Sequence, residues 1–306
     1  GHVRYSTTGN NTPENAQPIS VKYAKGNLTV SHNGNITNAK ELRDKLEAKG
    51  AIFHTTSDSE VISYLIAIQR LKSKSIEEAV EKVFPMLQGA FSLLIMSPRK
   101  LIAVRDKYGI RPLCIGKLQD NVIFASESCA FETIGATFER DVRPGEIVIV
   151  TEDNIQSNTK YCGHSGGLCI FEHIYTARPD SVIDGQGVNE ARMNAGKMLA
   201  RIAPADADLV IGVPDSGLPA AIGYSHQSGI PYGVGLIKNR YIGRTFIQPT
   251  QAMRERSVAL KLNTLKSNVE GKRIVMVDDS IVRGTTLANI IKLLKKSGAK
   301  EVHVRI

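Results

Sequence analysis

The sequence lacks the features that mark three broad classes of protein. It has no apolar run of about 20 residues, the length that a helix needs to cross a membrane, and no signal-peptide pattern. Its four cysteines form neither a CxxC pair nor a zinc-ligand spacing, so we interpret them as reduced thiols. No basic stripe interleaved with aromatic residues is present. We therefore expect a cytoplasmic protein that binds neither a membrane nor a nucleic acid.

The length and composition are those of an ordinary two-domain globular protein. The chain has 306 residues, 42% of them hydrophobic, which is enough for two cores of usual size. The net charge of +9 is spread along the chain and is compatible with small polyanionic substrates. We predict domains at 1–163 and 164–306, joined by the Gly-rich segment 162–167.

The two halves differ in their predicted elements. Short β-type runs and turn signals dominate the first half, which favours a layered α+β domain on antiparallel sheets. Its predicted strands are Leu28–Ser31, Phe91–Met96, Leu101–Arg105, Val122–Ser126 and Glu146–Val150, and its helices are Ala39–Lys49, Ser57–Lys72 and Ile76–Leu87. The second half follows a β-α-β order, which predicts an α/β domain with a mostly parallel sheet. Its predicted elements are strands Leu209–Val213, Gly233–Ile237, Ile274–Val277 and Val302–Ile306, and helices at 218–227 and from Leu287.

The segment 273–286 carries the strongest functional signal. A buried strand ends in Asp278 and Asp279, and a loop leads into a helix with apolar residues at i, i+3, i+4 and i+7 spacing. A helix start with a close-approaching glycine suits a phosphate, and two acids suit a diol or a divalent metal. The loop residues are Ser280, Arg283, Gly284, Thr285 and Thr286. Together they predict a site for a ribose 5-phosphate.

Two other segments of the second half suit an anion. The run 211–217 is a strand, a loop and a helix start, in which Asp215 or Ser216 could face a metal and the backbone through Gly217 could cradle a pyrophosphate. The run 238–246 combines cations, a glycine and aromatic residues, as in a lid that closes over a leaving group, and includes Lys238, Tyr241 and Arg244. An ordinary strand–helix turn and a solvated basic loop are the alternative interpretations.

Three segments of the first half suit an amino-acid substrate. Arg4 lies among hydroxyl residues and could clamp a carboxylate with two hydrogen bonds. Asn33 and Gly34 could donate to an oxyanion, although Asn-Gly is also a strong hairpin signal. Asp58 could hold an ammonium group, although a helix start at Ser57 with a capping box to Glu60 explains that carboxylate equally well.

These motifs together resemble those of known families. The run from Asp278 to Thr286 resembles the phosphoribosylpyrophosphate (PRPP) signature of type I phosphoribosyltransferases, and the first half resembles the N-terminal-nucleophile glutaminase domain, a layered αββα fold. The combination resembles the amidophosphoribosyltransferase family. The resemblance implies that Arg4 and Thr7 hold the glutamine carboxylate, that Asp58 holds its amino group, and that Asn33 and Gly34 form the oxyanion hole.

The resemblance also implies a reaction and its cofactors. PRPP, glutamine and water would give 5-phosphoribosylamine, glutamate and pyrophosphate, the first step of de novo purine biosynthesis. Mg²⁺ would be held near Ser216, Asp278 and Asp279. Cys169 matches the first ligand of a [4Fe–4S] cluster that some members carry, or it is a free buried thiol. Feedback by purine nucleotides and a homotetramer are further expectations from the family.

The chain departs from the family at its first residue. The family's nucleophile is an N-terminal cysteine, whereas this sequence starts at Gly1 and stops inside an apparent strand at Ile306. We interpret it as an internal piece of a longer protein, and we expect these 306 residues alone to be poorly stable and to hydrolyse no glutamine.

Two alternatives to this reaction remain. A hexosamine-forming amidotransferase would lack the acids and the phosphate loop of segment 278–286. A PRPP-sensing repressor module would explain the missing nucleophile, but it would carry a DNA-binding domain in place of the glutaminase-like half.

Overall fold

The computed structural model describes residues 1–4, 8–10, 12–239, 262–281 and 284–306. The chain divides into two compact units, Gly1–Glu172 and His173–Ile306. The Gly-rich segment 162–167 lies in the first unit, where the Gly167 N–H donates to Tyr108 O. The domain limits 1–163 and 164–306 remain a prediction.

Two antiparallel sheets form the frame of the first unit. Its strands are β1 Ile19–Tyr23, β2 Gly26–Ile36, β3 Gly89–Ser97, β4 Lys100–Arg105, β5 Cys114–Leu118, β6 Asn121–Ala125, β7 Thr137–Asp141, β8 Ile147–Val150 and β9 Ile155–Asn158. The larger sheet has the order β1-β2-β3-β4-β8-β9 and the smaller one β6-β5-β7. Every pairing in both sheets is antiparallel.

Helices cover one face of the larger sheet. They are α1 Ala39–Glu47, α2 Asp58–Leu71 and α3 Ile76–Val83, with 3₁₀ turns at Pro13–Asn15 and Phe84–Met86. The short α4 Cys129–Thr133 lies instead against β7 of the smaller sheet. Helix α2 buries Val61, Ile62, Leu65 and Ile66 in the same core cluster as Leu28 and Val30 of β2. This spacing places one apolar stripe of the helix on the sheet, so the start of α2 is held beside the end of β2.

A parallel sheet organises the second unit. Its strands are β10 Val182–Ile183, β11 Gln186–Gly187, β12 Leu209–Gly212, β13 Leu236–Lys238, β14 Leu262–Thr264, β15 Arg273–Val277 and β16 Glu301–Arg305. Its helices are α5 Val188–Ile202, α6 Leu218–Ser228, α7 Lys266–Val269 and α8 Thr285–Lys296, preceded by a π-helical turn at Glu172–Thr176. The order β12-β15-β16 is parallel throughout. Strands β10 and β11, and likewise β13 and β14, form separate antiparallel pairs.

Helices lie on both faces of the parallel sheet. Val275 and Val277 of β15 pack in a cluster with residues of α5 and α6, whereas Ile274 and Met276 pack in a cluster with residues of α8. Successive side chains of a strand point to opposite faces, so the sheet is buried on both sides. The predicted α/β class of the second half is confirmed.

The predicted strands and helices of both halves each overlap an observed element. The hairpin interpretation of Asn33-Gly34 is wrong, because both residues lie inside β2 and pair with Ser92 and Phe91 of β3. Strands β1, β5, β7 and β9 of the first unit and β10, β11 and β14 of the second unit were not predicted. The sequences of β7 and β9 are largely polar and exposed, so they lack the apolar alternation by which a strand is recognised.

The helices of the described residues include none that is both long enough and apolar enough to span a membrane.

Helices α5 and α6 approach each other closely through two glycines. A Cβ atom at Gly196 would lie 1.9 Å from Ala220 O, and one at Gly223 would lie 2.0 Å from Met193 O. Both neighbours are backbone atoms of the facing helix, so a methyl group would force the helix axes apart. The two glycines therefore set the spacing of the helices that cover one face of the sheet.

We predict that Gly196→Ala lowers the free energy of unfolding of the second unit by about 1–3 kcal/mol, the usual cost of overpacking. The loss should appear despite the better helix propensity of alanine, which is worth up to about 1 kcal/mol. Urea unfolding followed by circular dichroism measures it. Met198→Ala on the exposed face of the same helix is the matched control and should change stability by less than about 0.5 kcal/mol. Equal stability of Gly196→Ala and wild type would contradict the predicted clash.

Candidate functional site

The end of β2 runs directly against the main chain of β3. Gly34 has a φ of +152°, and a Cβ atom there would lie 2.0 Å from Ala90 O. Only glycine avoids this contact. The adjacent Asn33 is partly exposed, and both residues lie near the carboxyl end of β2, at one edge of the sheet.

Asp58 occupies the first turn of α2, beside the end of β2. Its Oδ2 accepts a hydrogen bond from the Ile36 N–H at 3.0 Å, and its Oδ1 lies 3.6 Å from His32 Nδ1. Burial raises the pKa of Asp58, but the contacts with His32 and the Ile36 N–H outweigh burial, so the pKa lies below its ordinary value. The carboxylate is therefore a buried anion that can attract a cation.

The start of α2 is capped, but not by the predicted capping box. Ser57 Oγ accepts from the Ser59 N–H at 3.2 Å. Glu60 accepts from the N–H groups of His54 and Thr55, at 3.0 and 2.7 Å, and so holds the preceding loop instead of the Ser57 N–H. Glu60 thereby fixes the loop that precedes Asp58.

Arg4 lies near the same edge. Its guanidinium donates to Thr8 O at 2.7 Å and to Asn10 O at 3.2 Å, while the Thr8 hydroxyl donates to Asn35 Oδ1 at the end of β2. Asn10 N donates to Thr56 Oγ1 at 3.0 Å, which ties this loop to the segment before α2. A cation, a buried carboxylate and amide donors therefore surround the end of β2. Thr7 lies outside the described residues.

His32 is a buried polar residue at this site that our sequence analysis did not single out. Its Nδ1 lies 3.2 Å from Ser59 Oγ, and its side chain is 1% exposed. The available signal was strand alternation, because residues 28, 30 and 32 point to the same face and the first two are core residues. A histidine in that register is buried among apolar neighbours and must find polar partners there.

In the second unit, the loops after β12 and β15 meet at the carboxyl ends of neighbouring parallel strands. Gly212 pairs with Val277, and the Val213 N–H donates to Val277 O at 2.9 Å. A Cβ atom at Gly217 would lie 2.7 Å from the same carbonyl oxygen, so this glycine lets one loop pack on the other. Ser216 Oγ consequently donates to Asp279 Oδ2.

The two acids after β15 are hydrogen-bonded to their own loop. The Asp279 N–H donates to Asp278 Oδ1 at 2.9 Å, and Ser280 Oγ donates to Asp279 Oδ1 at 2.5 Å. Burial raises the pKa of Asp278 to about 6, since the bond from the Asp279 N–H only partly offsets burial and the charge of Asp279 adds to it. A carboxylate in this state gains from a nearby hydroxyl donor or cation.

Helix α8 begins immediately after this loop. Gly284, Thr285 and Thr286 form its exposed start, and Gly284 provides no side-chain cap for the first N–H groups. These groups and the helix dipole favour an anion at this end. Arg283 lies outside the described residues.

The loop after β12 also borders an open cavity. Lys238 Nζ at the end of β13 lies 2.5 Å from Asp215 Oδ2. The cavity has a volume of about 500 Å³ and is lined in part by Gly212, Asp215, Tyr232 and Lys238. It can hold a group of small-molecule size beside Asp215. Tyr241 and Arg244 of the predicted lid lie outside the described residues.

The described residues contain no cluster of three or more His, Cys, Asp or Glu side chains arranged to hold a metal ion. Burial raises the pKa of Cys114 to about 12, which keeps it a thiol, and Cys129 is also buried. Cys169 is partly exposed, and its N–H donates to Ile110 O.

Comparison with protein families assigns both units. Residues 2–133 match a glutamine amidotransferase domain, and residues 186–306 match a phosphoribosyl transferase domain. These matches confirm the two-domain fold predicted from the sequence.

Full-length relatives agree with these domains. Amidophosphoribosyltransferases of Archaeoglobus fulgidus, Methanocaldococcus jannaschii and Bacillus subtilis are 49%, 50% and 48% identical to this chain. The matches cover 100% of the chain but 67%, 68% and 64% of these relatives, so the chain spans about two thirds of their length.

Solved structures give the same assignment. One described as the allosteric regulatory enzyme of purine biosynthesis superimposes with a TM-score of 0.91 at 48% identity, covering 100% of this chain and 65% of that one. The B. subtilis glutamine PRPP amidotransferase complexed with ADP and GMP gives 0.90 at 48% identity, covering 99% and 66%. The chain belongs to the amidophosphoribosyltransferase family.

Proposed function

We propose that the complete protein transfers the amide nitrogen of glutamine to PRPP, forming 5-phosphoribosylamine, glutamate and pyrophosphate. The observation that carries this proposal is the meeting of Ser216, Asp278 and Asp279 at the adjoining ends of two parallel strands, directly before the exposed start of α8. The carboxylates can bind a diol and the neighbouring helix start can bind a phosphate, which are the groups at the two ends of a ribose 5-phosphate.

The parts of the second unit then take the following roles. Asp278 and Asp279 accept from the ribose hydroxyls. The loop and helix start bind the 5-phosphate through Ser280, Arg283, Gly284, Thr285 and Thr286. The loop after β12 binds the pyrophosphate through Asp215, Ser216 and Gly217, and the lid closes over it with Lys238, Tyr241 and Arg244. The ion pair of Lys238 with Asp215 supports this division, because it places a cation beside the cavity.

We propose that Mg²⁺ accompanies PRPP. The oxygens of Ser216, Asp278 and Asp279 are of the type that Mg²⁺ prefers, and this ion commonly takes one or two carboxylates plus substrate phosphates. When bound, it would neutralise charge on the departing pyrophosphate. A [4Fe–4S] cluster with Cys169 as its first ligand is a further proposal, which rests on the family resemblance alone.

Glutamine would occupy the edge of the first unit formed by the end of β2 and the start of α2. Arg4 and Thr7 bind its carboxylate, and Asp58 binds its ammonium group. The Asn33 amide and the Gly34 backbone donate to the oxyanion that forms when the family's cysteine attacks the amide carbon. One such donor contributes roughly 3–4 kcal/mol in comparable sites.

The two half-reactions are joined by ammonia. The amide nitrogen leaves glutamine as ammonia, and water then releases glutamate. Ammonia then forms a bond to C1 of the ribose as the bond to the pyrophosphate oxygen breaks. Asp278 and Asp279 would stabilise the positive charge that develops on the sugar.

Regulation and assembly follow as further proposals. The B. subtilis relative was solved with ADP and GMP, which supports feedback by purine nucleotides on this protein. A homotetramer and a cytoplasmic location are expected from the family resemblance and the composition.

We predict that Asp278→Asn or Asp279→Asn in the complete protein lowers kcat/KM for PRPP by roughly 10²–10³-fold, because each substitution removes a negative charge of the protein from beside the reacting sugar. Hydrolysis of glutamine without PRPP should be unchanged. Steady-state assays of pyrophosphate and glutamate release measure the two activities separately. Asp208→Asn is the matched control, since Asp208 pairs with Arg273 at the opposite end of the same sheet. PRPP kinetics like wild type in both site variants would refute the assignment.

We predict that Arg4→Leu raises KM for glutamine by roughly 10–100-fold, because a charged hydrogen-bonding partner of the carboxylate is lost. Activity with a high concentration of ammonium salt in place of glutamine should persist. Arg70→Leu, which removes a guanidinium bonded to Ser73 O at the far end of α2, is the control. Loss of both activities together would mean that Arg4 only holds Thr8 and Asn10 in place.

A further inference from the structure

Asn15 is a buried polar residue that belongs to none of the candidate substrate contacts. It ends the 3₁₀ turn Pro13–Asn15 and is only 1% exposed. Its Nδ2 donates to Asn10 O at 2.7 Å and to Thr56 Oγ1 at 2.8 Å, and its Oδ1 accepts from the Thr56 N–H at 2.9 Å. The side-chain amide therefore joins two main-chain segments whose residues 10 and 56 are 46 positions apart in the sequence.

One of these two segments orients Arg4. The Asn10 carbonyl oxygen that accepts from Asn15 also accepts from the guanidinium of Arg4, at 3.2 Å. A second bond, from Arg4 to Thr8 O at 2.7 Å, fixes the plane of the guanidinium. A guanidinium has five N–H donors in a planar fork, so these two bonds orient it without using the whole fork. The position of Arg4 therefore depends on where Asn15 holds Asn10.

The other segment leads into helix α2 and its first residue, Asp58. Thr56 lies two positions before Asp58, and the main chain beside it is fixed from both helices of this region. Arg43 of α1 donates to Thr55 O at 2.9 Å, and Glu60 of α2 accepts from the Thr55 N–H at 2.7 Å. Thr56 is consequently an anchor whose position relative to Asp58 is set.

The two segments also approach each other through main-chain atoms. The Asn10 N–H donates to Thr56 Oγ1 at 3.0 Å, so this hydroxyl accepts from both Asn10 and Asn15. A Cβ atom at Gly9 would lie 2.8 Å from both Thr56 O and Thr56 Oγ1, and Gly9 has a φ of +82°, which favours glycine. The absence of a side chain at this position lets the two segments come within hydrogen-bonding distance.

This connection sets the distance between a cation and an anion. The carboxylate and the ammonium group of an α-amino acid are attached to one carbon atom, so their separation does not vary. Arg4 and Asp58 bind both groups at once only at a matching separation, and a misplacement of about 1 Å can cost on the order of 10²-fold in activity. The hydrogen-bonded chain from Arg4 through Asn10 and Asn15 to Thr56 holds that separation.

We propose that Asn15 is a positioning residue of the glutamine site, which sets the distance between Arg4 and Asp58 and thereby makes the site selective for a free α-amino acid. This inference rests on the proposed function of the first unit, in which Arg4 binds the carboxylate of glutamine and Asp58 its ammonium group. Asn15 acts through Arg4 and does not itself touch the substrate.

The test is a double-mutant cycle in the complete protein. Asn15→Ala removes all three bonds of the amide and should raise KM for glutamine by roughly tenfold, with kcat within about twofold of wild type. In an Arg4→Leu background the same substitution should change KM by less than about twofold, because no guanidinium remains to be positioned. Asn158→Ala is the matched control, since Asn158 also joins two groups, Glu81 Oε2 and the Lys160 N–H, but lies in the edge strand β9. It should leave KM within about twofold of wild type.

A second pair of substitutions breaks the same connection at Thr56, whose side chain is exposed. Thr56→Val keeps the shape of the side chain but removes the hydroxyl that accepts from Asn10 and Asn15, so KM should rise as in Asn15→Ala. Thr56→Ser retains the hydroxyl and should keep KM within about threefold of wild type. Because the position is exposed, both variants should fold even if Asn15→Ala does not.

A second substrate separates positioning from a general structural effect. With 4-carbamoylbutanoate, which is glutamine without its amino group, Asp58 has no ammonium partner and the distance to Arg4 no longer matters. The ratio of kcat/KM for glutamine to kcat/KM for this analogue should therefore fall by roughly tenfold in Asn15→Ala and Thr56→Val, and stay unchanged in Asn158→Ala. An equal loss with both substrates, an undiminished effect of Asn15→Ala in the Arg4→Leu background, or a wild-type KM in both Asn15→Ala and Thr56→Val would each overturn the inference.

The same assays keep this inference apart from the proposed function. A wild-type protein that hydrolyses no glutamine would refute both. Glutamine hydrolysis that depends on Arg4 but is unaffected by Asn15→Ala and Thr56→Val would refute only the role of Asn15.

Discussion

Both candidate sites depend on glycines at which one main chain packs directly on another. A Cβ atom would meet Ala90 O at 2.0 Å from Gly34, and Val277 O at 2.7 Å from Gly217. These contacts place the end of β2 against β3 and the loop after β12 against the end of β15. Without these contacts the amide donors of the first unit and the hydroxyl of Ser216 would not reach their positions. The geometry of both sites therefore depends on this main-chain packing.

The pKa values of the central carboxylates in the two sites are shifted in opposite directions. Asp58 stands at a helix start, accepts a hydrogen bond from the Ile36 N–H and lies 3.6 Å from His32 Nδ1, so its pKa is lowered despite burial and it is an anion throughout the neutral range. Asp278 has less support, and burial raises its pKa to about 6. The first shift suits a permanently charged ammonium group. The second means that the Asp278 carboxylate gains stabilisation when a sugar hydroxyl or a cation binds beside it.

The sequence predicted the second unit better than the first, for a physical reason. The acids 278–279 and the segment 211–217 each follow a buried apolar strand, and parallel strands bring such ends together without further information. In the first unit the site depends on one glycine within a strand and on a histidine in its buried register. The residue types of Asn33-Gly34 match a hairpin signal. The backbone continues as a strand because of a contact with Ala90, which is distant in sequence and is not visible in a local pattern. The polar partners of His32 come from α2 and Gln17, which no local pattern connects.

The measurement that tests the central claim most directly follows the nitrogen atom itself. The complete protein is incubated with glutamine labelled with ¹⁵N at the amide, PRPP and Mg²⁺, and the products are analysed by mass spectrometry. The account predicts phosphoribosylamine that carries the label, with one glutamate and one pyrophosphate formed for each. Glutamate released without labelled phosphoribosylamine, or pyrophosphate released without glutamate, would contradict it.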